Sequence, residues 1–472
     1  MPQISPDGLT YTVKLKKNAK FHPPLSRAVT ADDVVFSWQR YSGQVAGVPA
    51  NAGLSSVAAY LDTVEKVDDS TVRFKLKKPR GDFLVSEAKW LQIMPKEAGT
   101  AFDPAQKMVG TGPWIFDSYT PGSVIKFKRN ADWHLGPEAP YLDAVEINFI
   151  KEYATRLTQF LGGNLDECDV SGNDLGRVKD TLKSAQVIVR EAVLPASYIT
   201  FDGSARAANA PWRDPRVRKA MSMAIDRDSL LDAAYNVKDV EKLGLKVERR
   251  WNNDMPSFES GYWLDPQGKF QIKASDPKVS ADNAKSFKYD PTEAKKLLDA
   301  AAQGSGFKTK LHTTSSRYGQ AFNILTELLQ QYLAAVGIQT ELVDEDYASV
   351  YVTKTALGDF DGIAHIPRGP GARGQFELYY SAKGIRNNAK IDDQALFDRV
   401  QKMLSMSDPE QARTEMLSLQ SYTNDKMYLV PMQLGGSGDY YAYSSKVHNA
   451  VEYQVNSYDL GTEAFPYFWK EA

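Results

Sequence analysis

Residues 308–365 switch repeatedly between two hydrophobic periods, and that switching leaves few folds open. Residues 308–312 read as a strand. A long helical pattern follows over 318–336, with Phe322, Leu325, Leu328, Leu329, Tyr332 and Val336 on one side and Gly337 as its stop. Residues 338–343 read as a second strand, 347–357 as a helix ending at Gly358, and 360–365 as a third strand. The order β-α-β-α-β predicts a parallel sheet with right-handed crossovers. A further helix precedes it, with Asp290 as N-cap, Pro291 at the first helical position and Ala294, Leu297, Leu298 and Ala301 on its apolar side.

The first 200 residues read differently. Tyr11, Val13 and Leu15 alternate with Thr12, Lys14 and Lys16, and Val72, Phe74 and Leu76 alternate with Arg73, Lys75 and Lys77. Period two with one polar face predicts half-buried antiparallel strands, whose lysines form a solvated sheet face. Between them Thr30 and Asp33 suggest a capping box that opens a helix through Val34, Val35, Phe36 and Trp38. After a turn at 110–113, strands are predicted near 114–117, 124–128 and 145–150. A chain of 472 residues exceeds one hydrophobic core, so two or three domains are expected.

The totals exclude several function classes. A net charge of −2 gives no electrostatic case for nucleic acid or an anionic membrane surface. No apolar run approaches the roughly 18 residues of a membrane-spanning helix. Cys168 is the only cysteine, which rules out an internal disulfide and any cysteine metal cluster, and the five histidines show no metal-ligand spacing. No cofactor or metal is expected. The opening residues, Met1 to Gly8, contain neither a basic region nor an apolar core, so no secretion signal is expected within the chain as written.

Open parallel sheets bind ligands beyond the carboxyl ends of their strands. One such end predicts a site at Ser315, Arg317 and Tyr318. The other predicts a loop from His365 to Gly374 that carries Arg368 and Arg373. Hydroxyls, guanidinium groups and glycine-exposed backbone suit a polar, even anionic, small ligand. The second loop also spells Gly369-x-Gly371-x-x-Gly374, with Asp392 and Asp393 about 20 residues on, as in a dinucleotide fingerprint. Pro370 inside the motif and the position of the loop after a third strand speak against that use. The acidic clusters Asp32-Asp33, Asp68-Asp69 and Asp344 to Asp346 are better explained as a helix cap, a turn and a strand end than as paired catalytic carboxylates.

One segment indexes the chain. Asp214 caps a helix with Pro215 at its first position and Val217, Ala220, Met221, Ala224 and Ile225 on one face, and Asp226 caps the next helix. The order of residues from Asp214 to Arg227 resembles a signature of the family 5 extracytoplasmic solute-binding proteins of peptide-class ABC importers. Five further blocks resemble the family in the same order: Ser5–Trp38, Gly110–Trp133, Leu161–Asp166, Tyr289–Leu298 and the 318–365 region. The resemblance implies an α/β, two-lobe periplasmic-binding-protein-like fold (type II, cluster C-like) with an extra α+β domain in the N-terminal half. By similarity, residues 1–108 would form that extra domain, N-terminally incomplete. Residues 109–197 plus 436–472 would form lobe one without its first strand, and 198–435 lobe two. Hinges would lie near 194–201 and 432–438, where Gly435, Gly436 and Gly438 can absorb dihedral change.

The resemblance implies a periplasmic or surface-anchored protein, a monomer, that captures a peptide-like, sugar or opine-like solute, catalyses nothing and partners the permease subunits of an ABC importer. The expected ligand-binding residues are Arg368, His365 and Arg373 from one strand end, Ser315, Arg317 and Tyr318 from the other, and Tyr198 and Gln433 from near the hinges. Peptide binders of the family usually carry an aspartate for the ligand's ammonium after the strand equivalent to 360–365. Here the run is His365-Ile-Pro-Arg-Gly-Pro370, which shifts the expectation toward a carboxylate, phosphate or polyhydroxyl ligand. A nucleotide-dependent enzyme using 369–374, and a receptor- or chaperone-like binding module, are the alternatives.

Overall fold

The computed structural model describes residues 2–471 except 52–54, 85–87, 137, 191–195, 258, 260, 272, 369–371, 433–438 and 451–464. Its N-terminal part is a four-stranded antiparallel sheet of Gln3–Ile4 (β1), Thr10–Lys14 (β2), Leu61–Asp68 (β3) and Thr71–Leu76 (β4), in the order β1-β2-β4-β3. The alternation read in the sequence holds: Tyr11, Val72, Phe74 and Leu76 are buried and the lysines face outward. The helix Ala31–Tyr41 closes over this sheet, opened by the expected Thr30–Asp33 capping box. Trp114–Thr120 (β5), Val124–Arg129 (β6) and Ala144–Asn148 (β7) then form an antiparallel meander. Glu167–Val170 (β8) and Gln186–Arg190 (β9) follow.

The second half is organised by a five-stranded sheet. Its members are Ala196–Phe201 (β10), Phe307–Thr313 (β11), Ile338–Asp344 (β12), Ile363–Arg368 (β13) and Val430–Met432 (β14), in the order β12-β11-β13-β10-β14. β12, β11 and β13 are parallel, as the β-α-β-α-β reading predicts, whereas β10 runs antiparallel to both its neighbours. The helix Gly319–Ala335 connects β11 to β12 and buries Phe322, Leu325, Leu329 and Leu333. It stops at Gly337, whose φ of +94° only glycine adopts freely. The chain returns through Asp439–Tyr443 (β15), which inserts between β8 and β9. Val447–His448 (β16) and Trp469–Lys470 (β17) make a last two-stranded ribbon.

Two expectations change. The helix expected over 347–357 is a short π-turn, Tyr347–Tyr351, and a 3-10 turn, Thr355–Leu357. The strand expected at 360–365 lies three residues later, because β10 pairs with it as far as Ala196↔Arg368. His365 and Arg368 are therefore strand residues and not loop residues.

The helix Pro215–Met223 has its N-cap at Asp214, whose side chain accepts from the Arg216 N–H, and Asp226 caps Arg227–Tyr235 in the same way. The apolar stripe is core, with Val217, Ala220, Met221 and Ile225 wholly buried. Arg218 and Arg227 are also buried, which the stripe does not announce. Arg227 donates to the carbonyls of Ser222, Phe287 and Pro431, and Arg218 to those of Trp212, Arg213, Lys426 and Met427. Desolvation lowers both, Arg227 to about 9 and Arg218 to about 10. These guanidiniums tie carbonyls of distant segments together and stay buried because most of their donors are satisfied.

Candidate functional site at a topological switch point

β11 lies between β12 and β13, and the chain leaves the carboxyl ends of β11 and β13 in opposite directions: from β11 to β12 on one side, from β13 toward β14 on the other. A crevice at such a reversal is the usual ligand position in an open α/β sheet. β11 ends at Thr313, while β13 runs on to Arg368, which pairs with Ala196 at the amino end of β10, with Ile366 and Pro367 opposite Tyr198 and Ser197. A ligand at this reversal would be floored by the last residues of β13 and the first residues of the antiparallel β10.

An aromatic cluster joins the two predicted strand ends. Tyr318 packs on Phe322 at 5.2 Å, on Tyr347 at 5.8 Å and on Tyr351 at 6.3 Å between ring centroids. The Tyr351 hydroxyl donates to the His365 carbonyl at 2.7 Å. Arg317 is exposed, with its guanidinium 5.6 Å above the Tyr347 ring. Tyr198 is 3% exposed and meets Tyr379 edge-on at 5.1 Å. Its hydroxyl has no hydrogen-bond partner among the described residues. Burial raises the Tyr198, Tyr318 and Tyr351 hydroxyls above the ordinary tyrosine value, and at all three the positive charge of Arg386 opposes the shift.

Arg386 is the residue that sequence reasoning missed. It is half-buried, its backbone N–H donates to Leu378 O at 3.0 Å, and its Nη1 donates to Ala356 O at 2.7 Å. These bonds hold the side chain in the electrostatic field of tyrosines from three separate segments. Its position in a polar turn, Gly384-Ile-Arg-Asn-Asn388, gave no periodic signal that would single it out.

The remaining expected residues are dispersed. Arg368 is 2% exposed, lies 4.5 Å over the Tyr379 ring and approaches Met255 Sδ, with its Nε unpartnered. Beside it Asp254 is wholly buried. It accepts from Tyr380 OH at 2.5 Å and from the Thr423 hydroxyl, and burial pushes its carboxyl up against the pull of Arg368. His365 has no exposed atom to offer: Nδ1 meets Thr326 Oγ1 at 2.8 Å, Nε2 meets Ser197 Oγ at 2.7 Å, and Phe322 stacks on the ring at 4.2 Å. Both ring nitrogens are engaged within the core, and burial depresses the ring to about 3. Arg373 turns away and donates to Met406 O at 2.9 Å. Ser315 is pinned to Asp344 by its N–H at 2.7 Å and its hydroxyl at 2.6 Å. Gln433 and Gly369 to Gly371 lie outside the described residues.

The dinucleotide-like spelling meets one of its structural requirements, since Gly374 falls within the helix Ala372–Tyr379. Its acidic partner is committed elsewhere: Asp393 caps the helix Gln394–Ser405 and accepts from the Tyr422 and Tyr428 hydroxyls, each at 2.8 Å. Among the described residues no His, Cys, Asp and Glu side chains cluster as metal ligands, and no helix is long and apolar enough to cross a membrane.

The model of the bacterial extracellular solute-binding proteins, family 5 middle region, matches residues 2–384. Heme-binding protein A of Haemophilus influenzae is 27% identical over 372 residues, covering 73% of this chain and 61% of that protein. The dipeptide-binding protein of Escherichia coli is 26% identical over 382 residues, covering 76% of this chain and 64% of that protein. The chain therefore spans about three-fifths of the length of these curated relatives. Among solved structures, the binding protein AgaA of Agrobacterium tumefaciens in complex with agropinic acid is 22% identical with a TM-score of 0.74, covering 100% of this chain and 89% of that one. The periplasmic binding protein DppA of Helicobacter pylori in complex with a peptide is 23% identical, also with a TM-score of 0.74, covering 100% and 88%. These likenesses show a shared two-lobe, mixed α/β fold.

Proposed function

The chain belongs to family 5 of the bacterial extracellular solute-binding proteins, and from that premise we propose that it captures a small polar solute in the switch-point crevice and delivers it to the permease subunits of an ABC importer. It works outside the cytoplasm, periplasmic or surface-anchored, as a monomer, and catalyses no reaction. The observation that carries this reading is the convergence of Tyr198, Tyr318, Arg317 and Arg386 where the carboxyl ends of β11 and β13 meet the amino-terminal half of the antiparallel β10. Tyrosines offer faces for stacking and hydroxyls for hydrogen bonds, and arginines offer forked donors to carboxylates.

The ligand class is a polar anion or polyhydroxyl compound. The names of the relatives range over heme, dipeptides and agropinic acid, and the guanidiniums of Arg317 and Arg386 offer a carboxylate its forked donors. The acids nearby are engaged: Asp344 with Ser315, Asp254 with Tyr380 and Thr423, and Glu345 with His312 at 2.7 Å and Thr355 at 2.6 Å. A free peptide's ammonium would find no uncommitted carboxylate among these. Arg368 acts behind the crevice, holding Tyr379 and the end of β13 in place.

We place the lobe boundaries at 1–108 for the extra domain, 109–197 plus 436–472 for lobe one and 198–435 for lobe two. Support comes from β15, which returns to pair with β8 and β9, and from the two proposed crossovers, which run side by side where Ser197 pairs with Met432. Closure of the lobes on ligand is then a population shift driven by contacts to both. A thermal-shift panel of dipeptides, sugar–amino-acid conjugates with a free carboxylate, and NAD tests the reading. The conjugates should raise the melting temperature, and Arg317→Ala with Arg386→Ala should remove that rise. Stabilisation by NAD and by none of the solutes would contradict it in favour of the nucleotide alternative.

A further inference from the structure

The described residues of the segment 250–278 pack over the helix Pro409–Lys426 and line a partly open pocket of about 270 Å³. Its floor is apolar, made by Trp263, Leu264, Phe270, Pro277 and Leu417. The Trp263 and Phe270 rings stand 5.9 Å apart at 42°, and the Arg250 guanidinium lies over both, at 5.8 Å and 5.1 Å. The walls are fixed by buried hydrogen bonds. Leu264 N donates to Gln420 Oε1 at 3.1 Å, and Gln420 Nε2 donates to Tyr262 O at 2.7 Å. Arg413 grips Asp276 with two bonds, at 2.7 Å and 2.5 Å. A cavity with such walls binds without first having to order them.

The charge balance in the cavity favours an anion. Asp276 is neutralised by Arg413, which holds its carboxyl below the ordinary value. Asp265 is turned into its own loop, accepting from the N–H groups of Gln267 at 2.8 Å, Lys269 at 2.6 Å and Phe270 at 2.9 Å. Lys269 and Lys278 line the rim, both exposed, and neither forms an ion pair with a carboxylate of the described residues. The volume of about 270 Å³ falls just below the range of about 300–1,000 Å³ typical of small-molecule sites, which restricts the occupant to a single ring.

We propose that this cavity is a second ligand site, separate from the switch-point crevice, that takes a small single-ring aromatic carboxylate. The ring packs on Trp263, Phe270 and Leu417, and the carboxylate points to Lys269 and Lys278. Because the lysines are at the surface, their attraction weakens as salt rises.

Titration with sodium phenylacetate, followed by calorimetry or ligand-observed NMR, tests the site, with phenylacetamide as the neutral control. Phenylacetate binds and the amide binds much more weakly. The double variant Lys269→Ala/Lys278→Ala, both residues exposed and outside the core, keeps the parent melting temperature and binds phenylacetate about five- to tenfold more weakly. Arg317→Ala, at the other site, leaves phenylacetate binding unchanged. Absence of phenylacetate binding, equal binding of the amide, an unchanged affinity in the double lysine variant, or loss of binding in Arg317→Ala would each overturn the proposal.

Discussion

Arg80 Nη1 donates to Glu377 Oε2 at 2.7 Å, joining the N-terminal sheet to the helix that follows β13. The Arg80 side chain is fully buried and also contacts Asp82 at 2.5 Å, while the Tyr60 hydroxyl reaches the second Glu377 oxygen. The neighbouring backbone is in direct contact too. Gly81 N donates to Leu404 O at 2.9 Å, and a Cβ on Gly81 would lie 1.7 Å from the Met406 carbonyl oxygen, the same oxygen that accepts from Arg373. The N-terminal sheet is thereby anchored a few residues from the crevice.

Arg80→Ala leaves Asp82 and Glu377 without their buried cation and should destabilise the protein by about 3 kcal/mol, at the lower end of the cost of breaking a buried pair. In a double-mutant cycle with Glu377→Ala the losses should be strongly less than additive, read by denaturant unfolding. Gly81→Ala should also destabilise, by steric conflict with a backbone carbonyl. Gly112→Ala, where an added Cβ meets nothing within 4 Å, should not.

His365 makes stability pH-dependent with a definite sign. Its folded value of about 3 lies below the ordinary 6.5 because of burial. Between those values the unfolded chain binds a proton that the folded one does not. Stability from this group is therefore complete above about 6.5 and lost as pH falls toward 3, at up to about 1.4 kcal/mol per pH unit. His365→Gln can keep bonds to Thr326 and Ser197 without titrating. Equilibrium unfolding of parent and variant across pH 4 to 7 should show the acid loss only in the parent.

Asp254 acts in the opposite sense. Burial raises its folded value above the ordinary 3.8, so the folded state holds the proton longer and stability from this group declines as pH rises from about 3.8 toward the folded value. The stability of Asp254→Asn relative to parent should increase over that window. A difference that instead falls with pH would mean that Arg368 stabilises the carboxylate more than burial penalises it.

Much of the scaffold was legible because local rules and tertiary packing agree. Asp214, Asp226 and Asp290 cap their helices, Gly337 ends the long one, and the alternating residues of β2 and β4 divide between core and solvent. The end of β13 was misjudged because its antiparallel partner is more than 160 residues away in sequence, and only that pairing carries the strand to Arg368. The site was legible as a place but less so in its members. Strand ends can be located from periodicity, which brought Tyr318 and Arg317 to the crevice. Whether an arginine or histidine faces solvent or core depends on neighbours from other segments. Thr326 and Ser197 draw His365 inward, Met406 draws Arg373 away, and Ala356 holds Arg386 where no pattern pointed.

Native mass spectrometry of the protein as purified tests the central claim most directly, because a solute enclosed between two lobes is retained through purification when it dissociates slowly. The account predicts a discrete added mass released on denaturation, belonging to a small acid or polyhydroxyl compound and absent from the Arg317→Ala/Arg386→Ala variant. Recovery of a strongly basic peptide, retained equally by parent and variant, would contradict it.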